Sequence, residues 1–255
     1  MFPLKDNIPT RRWPVVTVTL IVINVVMFFL FQQAFGDQRA FEQRVVEYGA
    51  VPYEITHPGK QCEATRGGDL LCEGQPGVRG QADPQPSTWL TLFSSMFMHG
   101  GLLHIAGNML YLWIFGNNVE DSMGRLRFLA FYLLGGLVAL AAQTVIGPDA
   151  AVPTIGASGA VAAVLGGYIL LYPRARVTTL VVLIFFITFI QLPALLVLGG
   201  WFLLQLYQGL LQPAAGSGVA YFAHIGGFVF GLLLIKAFAN RAKGDYEVRS
   251  RYPVY

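Results

Sequence analysis

Ser158 lies among small residues in TIGASGAV (154–161), and no charged residue occurs between Asp149 and Arg174. A serine hydroxyl becomes a nucleophile when an adjacent base takes its proton, commonly a histidine. Two histidines stand in comparably apolar surroundings, His104 in HGGLLHIAGNMLYLWIFG (99–116) and His224 in AHIGGFVFG (223–231). Asn108 follows His104 by four residues and would share its face of a helix. Together these side chains suit acyl transfer to water, most simply peptide hydrolysis. Ser158 would attack with His224 as general base. The oxyanion would be held by the free backbone N–H at the helix start near Ser158, with His104 and Asn108 adding side-chain donors. Each such donor is worth about 10²–10³ in rate in the best-studied case. No Asp or Glu occurs in 155–172 or 217–235, so a third triad member is not apparent. Each residue alone also has a plainer use: a packing serine, an asparagine bonding two helices, a histidine tying helices together.

The elements that must carry these groups are set by composition. Of 255 residues, 55% are hydrophobic and 12% charged, with a mean hydropathy of +0.55. A soluble domain carries roughly twice that charged fraction, so lipid must be part of the solvent. The net charge of +3 calls for no nucleic-acid partner, and no nucleic-acid module or internal repeat is evident. Uncharged runs fall at 15–35, roughly 96–117, 128–148, 155–172, 193–215 and 217–235. Each approaches the roughly 20 residues a membrane span requires. The first follows Lys5, Arg11 and Arg12 and precedes no small-x-small cleavage site, so it is expected to stay as an anchor.

The run 177–191, VTTLVVLIFFITFIQ, is short and rich in Val, Ile, Thr and Phe. Basic residues decide whether it spans. Lys5, Arg11 and Arg12; Arg125 and Arg127; Arg174 and Arg176; and Arg241, Lys243, Arg249 and Arg251 all fall on one side if there are six spans, as the positive-inside rule requires. The expected fold is therefore an all-α polytopic bundle of six transmembrane helices. Its parts are a cytoplasmic N-terminus (1–14), a first helix (15–35), an outer loop (36–95), a core of helices two to six (96–239) and a cytoplasmic tail (240–255). Segment 177–191 would lie at the inner interface or dip partly into the bilayer.

On this map helices two, four and six run inward from the outer side. They bring His104, Ser158 and His224 to one depth, roughly 5–12 Å below their outer ends at 1.5 Å per residue. Polar groups at that depth face a bundle interior or a water-filled cavity. The fourth helix, Gly156 to Tyr172, would cover only about 25 Å against a core of about 30 Å. It would start below the outer surface, with Ser158 at the floor of a depression. Gly159, Ala163 and Gly167 repeat at four-residue spacing, as do Gly227 and Gly231. Such small-residue stripes let helix backbones approach closely, and pairing these two would set Ser158 beside His224. Cys62 and Cys72 fall outside, on the side that is usually oxidising, so a disulfide is expected, with two free thiols as the alternative. With His57 they have the wrong count for a closed zinc site.

The motifs resemble those of the rhomboid intramembrane serine proteases. GASG (156–159) looks like the nucleophile motif, 99–116 like the second-helix motif with His104 and Asn108 in the matching places, and 223–231 like the sixth-helix motif. GNNVEDSMGRLRF, after the second helix, is also similar, and the resemblance covers roughly 88–235 plus the first anchor. It implies a Ser158–His224 dyad without a carboxylate, metal or cofactor. Substrates would be single-span or other membrane proteins cut in or near their transmembrane segments. Location would be a bacterial inner (cell) membrane. The resemblance also implies lateral substrate access near helices two and five, which makes Trp201 and Phe202 gate candidates; lipid-facing or packing aromatics are the alternative. Two positions depart from the pattern: Trp89-Leu90 where many members carry Trp-Arg, and Ala162 where some carry a tyrosine that stacks on the base. The insert around Cys62 and Cys72 has no clear counterpart. Rival readings are a non-catalytic rhomboid-like protein that binds membrane clients, and a transporter. Such non-catalytic relatives typically lack the serine or the histidine, and a transporter would spread ionisable groups across the bilayer.

Overall fold

The computed structural model describes residues 2–65, 70–78, 82, 85–183, 186–212 and 218–240. The tail from residue 241 onward, with Arg241, Lys243, Arg249 and Arg251, lies outside the described residues. In chain order come β1 (Phe2–Asp6), α1 (Val15–Val26), α2 (Gln38–Tyr48), α3 (Pro52–Thr56), β2 (Cys62–Ala64), β3 (Leu70–Cys72), α4 (Thr88–Ser94) and α5 (Leu102–Tyr111). Then follow α6 (Asn117–Met123), α7 (Arg125–Ile146), α8 (Ser158–Leu171), β4 (Arg176–Leu183), β5 (Phe186–Pro193), α9 (Ala194–Leu211) and α10 (Tyr221–Phe238). A π-helical turn extends α1 to Phe31, and another, Leu112–Gly116, joins α5 to α6. Three helices, α7, α9 and α10, are long and apolar enough to cross a membrane; Val15–Phe31 and Ser158–Leu171 are apolar but shorter.

Polar contacts sort the helix ends into two groups. At one end, Glu120 of α6 accepts from Val16 N (3.0 Å), Thr17 N (2.8 Å) and Thr17 Oγ1 (2.8 Å), satisfying N–H groups that the start of α1 leaves open. Tyr172 Oη donates to Asn118 O (3.2 Å), and Arg127 donates to Phe238 O and Asn240 Oδ1 at the end of α10. Ala194 N donates to Ala175 O (2.7 Å), which starts α9 at this same end. At the other end, Gln32 and His99 exchange two hydrogen bonds of 2.9 Å. Ala50 and Thr154 form a β-bridge there, and Gly156 N donates to Ser95 O (2.8 Å).

The core centres on α8, which is buried along most of its length between α7 and α10. The approach to α10 is backbone to backbone. A methyl added at Gly227 would run into the carbonyl oxygen of Gly159, and one at Gly231 into that of Ala163. Gly159 itself turns toward Ala139 of α7 and Gly167 toward the Ile235 side chain, so the stripe on α8 serves two neighbours.

The all-α expectation needs correction. Segment 177–191 falls in an antiparallel hairpin, β4–β5, and β1 adds to it in the order β1-β4-β5. Pro3 pairs with Thr179, and Val177 with Leu192. The cause is the density of Val, Ile, Thr and Phe, whose branched or aromatic side chains fit a pleated surface better than a helix. Val177, Thr179 and Val181 are buried, so alternate residues of β4 pack inward, the period of a strand. Residues 1–14 are likewise more than a polar lead-in. Asp6 accepts from Asn118 Nδ2 (2.7 Å) and Tyr168 Oη (2.5 Å), and burial pushes its carboxyl up to about 6.

Within segment 36–95 the described residues include a small disulfide-closed hairpin, and α3 ahead of it docks on 148–154 through Tyr53 N–Ala150 O and Thr56 Oγ1–Pro148 O. Cys62 and Cys72 face each other across the β2–β3 hairpin and are disulfide-bonded, with an S–S distance of 1.97 Å. Glu54 accepts from Cys62 N (2.7 Å), and burial raises its carboxyl above the ordinary range. The helix expected from about 96 begins, as α5, at Leu102, because Gly100 and Gly101 separate it from the turn Ser95–Phe97 that continues α4.

Candidate active site

Ser158 is the first residue of α8. The turn that delivers it depends on Gly156, whose φ of +120° is a conformation side chains rarely adopt. Ala157 follows with φ −64°, and the chain enters the helix with Ser158 at its open N-terminus. His224 lies in the first turn of α10, its backbone N–H bonded to Ala220 O. The close α8–α10 packing brings the two together: His224 Nε2 is 2.8 Å from Ser158 Oγ.

The other ring nitrogen has a partner the sequence did not point to. His224 Nδ1 is 2.7 Å from Gln205 Oε1 on α9, and Gln205 is buried. An amide oxygen only accepts, so Nδ1 donates. Nε2 is thereby left as the acceptor facing the serine hydroxyl. Gln205 occupies the place an acidic third residue would take, but it comes from α9, outside the two runs that carry the serine and the base. Its one sequence signal is that it is a polar residue within an apolar run.

His104, two residues into α5, accepts from Gly100 N at Nδ1 (3.2 Å). Its Nε2 is then the protonated nitrogen. It lies against Gly156, 2.7 Å from where a β-carbon there would stand, and Ser158 Oγ is 3.5 Å from that same point. Asn108, one turn further along α5, is buried, and its Nδ2 donor has no hydrogen-bond partner among the described residues. His99, also buried, lies edge-on to His104 with ring centres 5.1 Å apart.

Trp201 and Phe202 are placed differently from each other. The Trp201 ring centre is 5.8 Å from that of His224, while Phe202 stacks on Phe228 of α10 at 4.4 Å. Trp201 thus gives the base an aromatic neighbour where Ala162 offers none. Of the three long helices, α9 is the least enclosed: 22% of its apolar window is buried, against 44% for α7 and 39% for α10. A cavity of about 100 Å³ opens against His104, with Gln143, Thr154 and Ala220 in its wall. It is polar and wide enough for water.

A family model described as the rhomboid domain matches residues 86–241, more than half of the chain. The chain belongs to the rhomboid family. Among curated proteins it is similar to rhomboid protease GluP of Bacillus subtilis, 29% identical over 60% of this chain and 24% of that protein. It is also similar to the mitochondrial rhomboid protein 1 of Saccharomyces cerevisiae, 27% identical over 56% of this chain and 40% of the relative. A third relative, rhomboid-related protein 2 of Mus musculus, is 31% identical over 54% of this chain and 44% of its own length. The matches thus span less than half the length of these relatives. Rhomboid membership makes the chain a polytopic integral membrane protein, and the long apolar helices around Ser158 are its membrane-crossing part.

Proposed function

We propose that this rhomboid is an intramembrane serine endopeptidase that hydrolyses peptide bonds in or near the transmembrane segments of membrane proteins. The observation that carries the reading is the hydrogen-bonded chain Ser158 Oγ–His224–Gln205, with distances of 2.8 and 2.7 Å. In the acylation step Ser158 Oγ attacks the substrate carbonyl carbon while its proton passes to His224 Nε2. The oxyanion is received by backbone N–H at the start of α8, by His104 Nε2–H and by Asn108 Nδ2. Collapse breaks the C–N bond, and the proton on Nε2 goes to the leaving amine. Water from the cavity beside His104 then attacks the acyl-enzyme, giving a proton to Nε2, and that proton returns to Ser158 Oγ. Gln205 holds the imidazole in the required tautomer throughout and touches neither substrate nor leaving group.

The membrane arrangement that supports this has six spans: α1, α5–α6, α7, α8, α9 and α10. The β4–β5 hairpin and the N-terminal strand lie at the inner face, as does the start of α7, with both termini cytoplasmic in a bacterial inner membrane. The contacts at the two ends of the bundle support it, since β1, Arg127, β4–β5 and Asn240 gather at one end. The α8 helix has 14 residues and covers only about 21 Å, so Ser158 sits in a depression below the outer surface. Single-span proteins would reach it by displacing α9, the loosest wall, with Trp201 and Phe202 on its inner side.

The test is cleavage of a single-span substrate in reconstituted vesicles. Ser158→Ala and His224→Ala each abolish it, and the double variant is no worse than either, because a nucleophile and its base act as a unit. A fluorophosphonate labels the wild type and not Ser158→Ala. Cleavage by purified Ser158→Ala at the wild-type rate would overturn the enzyme reading and leave client binding in its place.

A further inference from the structure

The end of the bundle remote from Ser158 carries a second concave site. A cavity of about 510 Å³ lies between the segment that precedes α1 and the start of α7, lined by Arg12, Trp13, Arg125, Leu126 and Arg127 together with Glu120 and Asp121. We propose that it binds the phosphate of an anionic phospholipid headgroup from the inner leaflet. The inference rests on the membrane placement of the bundle and is independent of the dyad.

Charge is the first argument. Three arginines from two distant stretches of chain line the cavity, against two carboxylates. Arg127 donates to two neutral acceptors, Phe238 O and Asn240 Oδ1. The two carboxylates in the wall are already engaged. Both oxygens of Glu120 accept from Val16 and Thr17, and Asp121 Oδ2 accepts from Arg11 N. They fasten the segment that leads into α1, and the three arginines outnumber them in the wall, which keeps a net positive charge. Guanidinium forks match the paired oxygens of a phosphate.

The second argument is the company those arginines keep. Trp13 is 68% and Leu126 84% exposed on the same rim. A bare indole and a bare leucine beside three cations would be costly in water, but they fit the boundary between headgroups and acyl chains, where tryptophan concentrates. A free phosphate would use the arginines and leave both apolar side chains in water; a phospholipid uses both. The third argument is the backbone: α7 starts at Gly124 without a side-chain cap, so its first N–H groups open beside the cavity and favour an anion. Basic pockets between helices at the cytoplasmic face are the general form of such sites.

The test is native mass spectrometry of the full chain, released from vesicles containing phosphatidylglycerol and phosphatidylethanolamine. Wild type is expected to retain one phosphatidylglycerol through detergent exchange. Arg12→Gln/Arg125→Gln/Arg127→Gln should bind it on the order of a hundred-fold more weakly, from about 1 kcal/mol per basic residue at such a surface. Lys5→Gln/Arg174→Gln/Arg176→Gln removes as much charge from the same face outside the cavity and should stay close to wild type. Thermal unfolding in detergent shows that each variant is folded. Were the cleft variant misfolded, the readout is quenching of Trp13 fluorescence by brominated phosphatidylglycerol in a chain that keeps all three arginines and has Trp89, Trp113 and Trp201 replaced by Phe, and no quenching would overturn the proposal. Equal losses in the two triple variants would reduce the site to diffuse surface charge and overturn it. Equal retention of phosphatidylethanolamine would do the same. Displacement of the lipid by millimolar glycerol phosphate or inorganic phosphate would assign the cavity to a soluble phosphate instead.

Discussion

Gln205→Leu isolates the one contact in the active site that has no chemistry of its own. The side chain is buried, and its Oε1 is 2.7 Å from His224 Nδ1. During acylation His224 carries a positive charge, so the bond to Gln205 becomes a hydrogen bond to a charged group, worth about 1.5–3 kcal/mol. At 1.36 kcal/mol per decade this is a loss of roughly 10- to 150-fold in kcat. KM should hardly move, because Gln205 touches His224 and not the substrate. Gln205→Glu keeps an acceptor at the same reach and should recover most of the loss, which separates the hydrogen bond from packing. The assay is initial-rate cleavage of a fluorogenic single-span substrate in vesicles, with substrate varied in mole fraction of lipid. A Gln205→Leu enzyme with wild-type kcat, or one that fails only through KM, would refute the positioning role. A Gln205→Glu variant as poor as Gln205→Leu would refute the hydrogen-bond explanation.

Two further outcomes test the frame around the site. Gly231→Ala places a methyl against the Ala163 carbonyl and should destabilise the bundle by about 1–3 kcal/mol; Gly200→Ala, whose methyl meets nothing within 4 Å, should be neutral or slightly stabilising in the same thermal unfolding series. Asp6 binds its proton more tightly folded than unfolded, with a carboxyl at about 6 against 3.8. The stability it contributes is therefore complete below 3.8 and is lost as pH rises through 6. Amide-exchange protection of β1 should accordingly increase as pH falls from 7 to 4.5, and Asp6→Asn should flatten that slope; an unchanged slope would refute the assignment.

Several features of this molecule were legible in the sequence because they follow from one-dimensional patterns. Uncharged runs mark α1, α7, α8, α9 and α10, and basic clusters mark the ends that gather with β1. Other features depend on partners far away in the chain. VTTLVVLIFFITFIQ reads as apolar, and only the inward period of Val177, Thr179 and Val181 distinguishes a strand from an interfacial segment. Its pairing with residues 2–6 has no local mark at all. In the site, the residue types of Ser158, His104, Asn108 and His224 invited a chemical question from sequence. Gln205 did not, because a glutamine in an apolar helix acquires meaning only when α9 is laid beside α10. Gly166 went unnoticed for a similar reason: it faces the Phe228 carbonyl on α10 but lies off the four-residue register of its neighbours.

The pairing of β1 with β4 sets an order of events during synthesis. Residues 2–6 leave the ribosome well before their strand partner, Thr178 to Leu180 among it, which follows some 170 residues later. At about 5–20 residues per second, β1 waits roughly ten to thirty seconds while the segments of α1 to α8 are made. In that interval Asp6 is a solvated carboxylate, and Tyr168 and Asn118 lack the acceptor they hold in the finished protein. The sheet therefore closes only after the serine-bearing helix has been made, and its closure fastens the end of that helix remote from Ser158 to β1 through Tyr168 and Asp6.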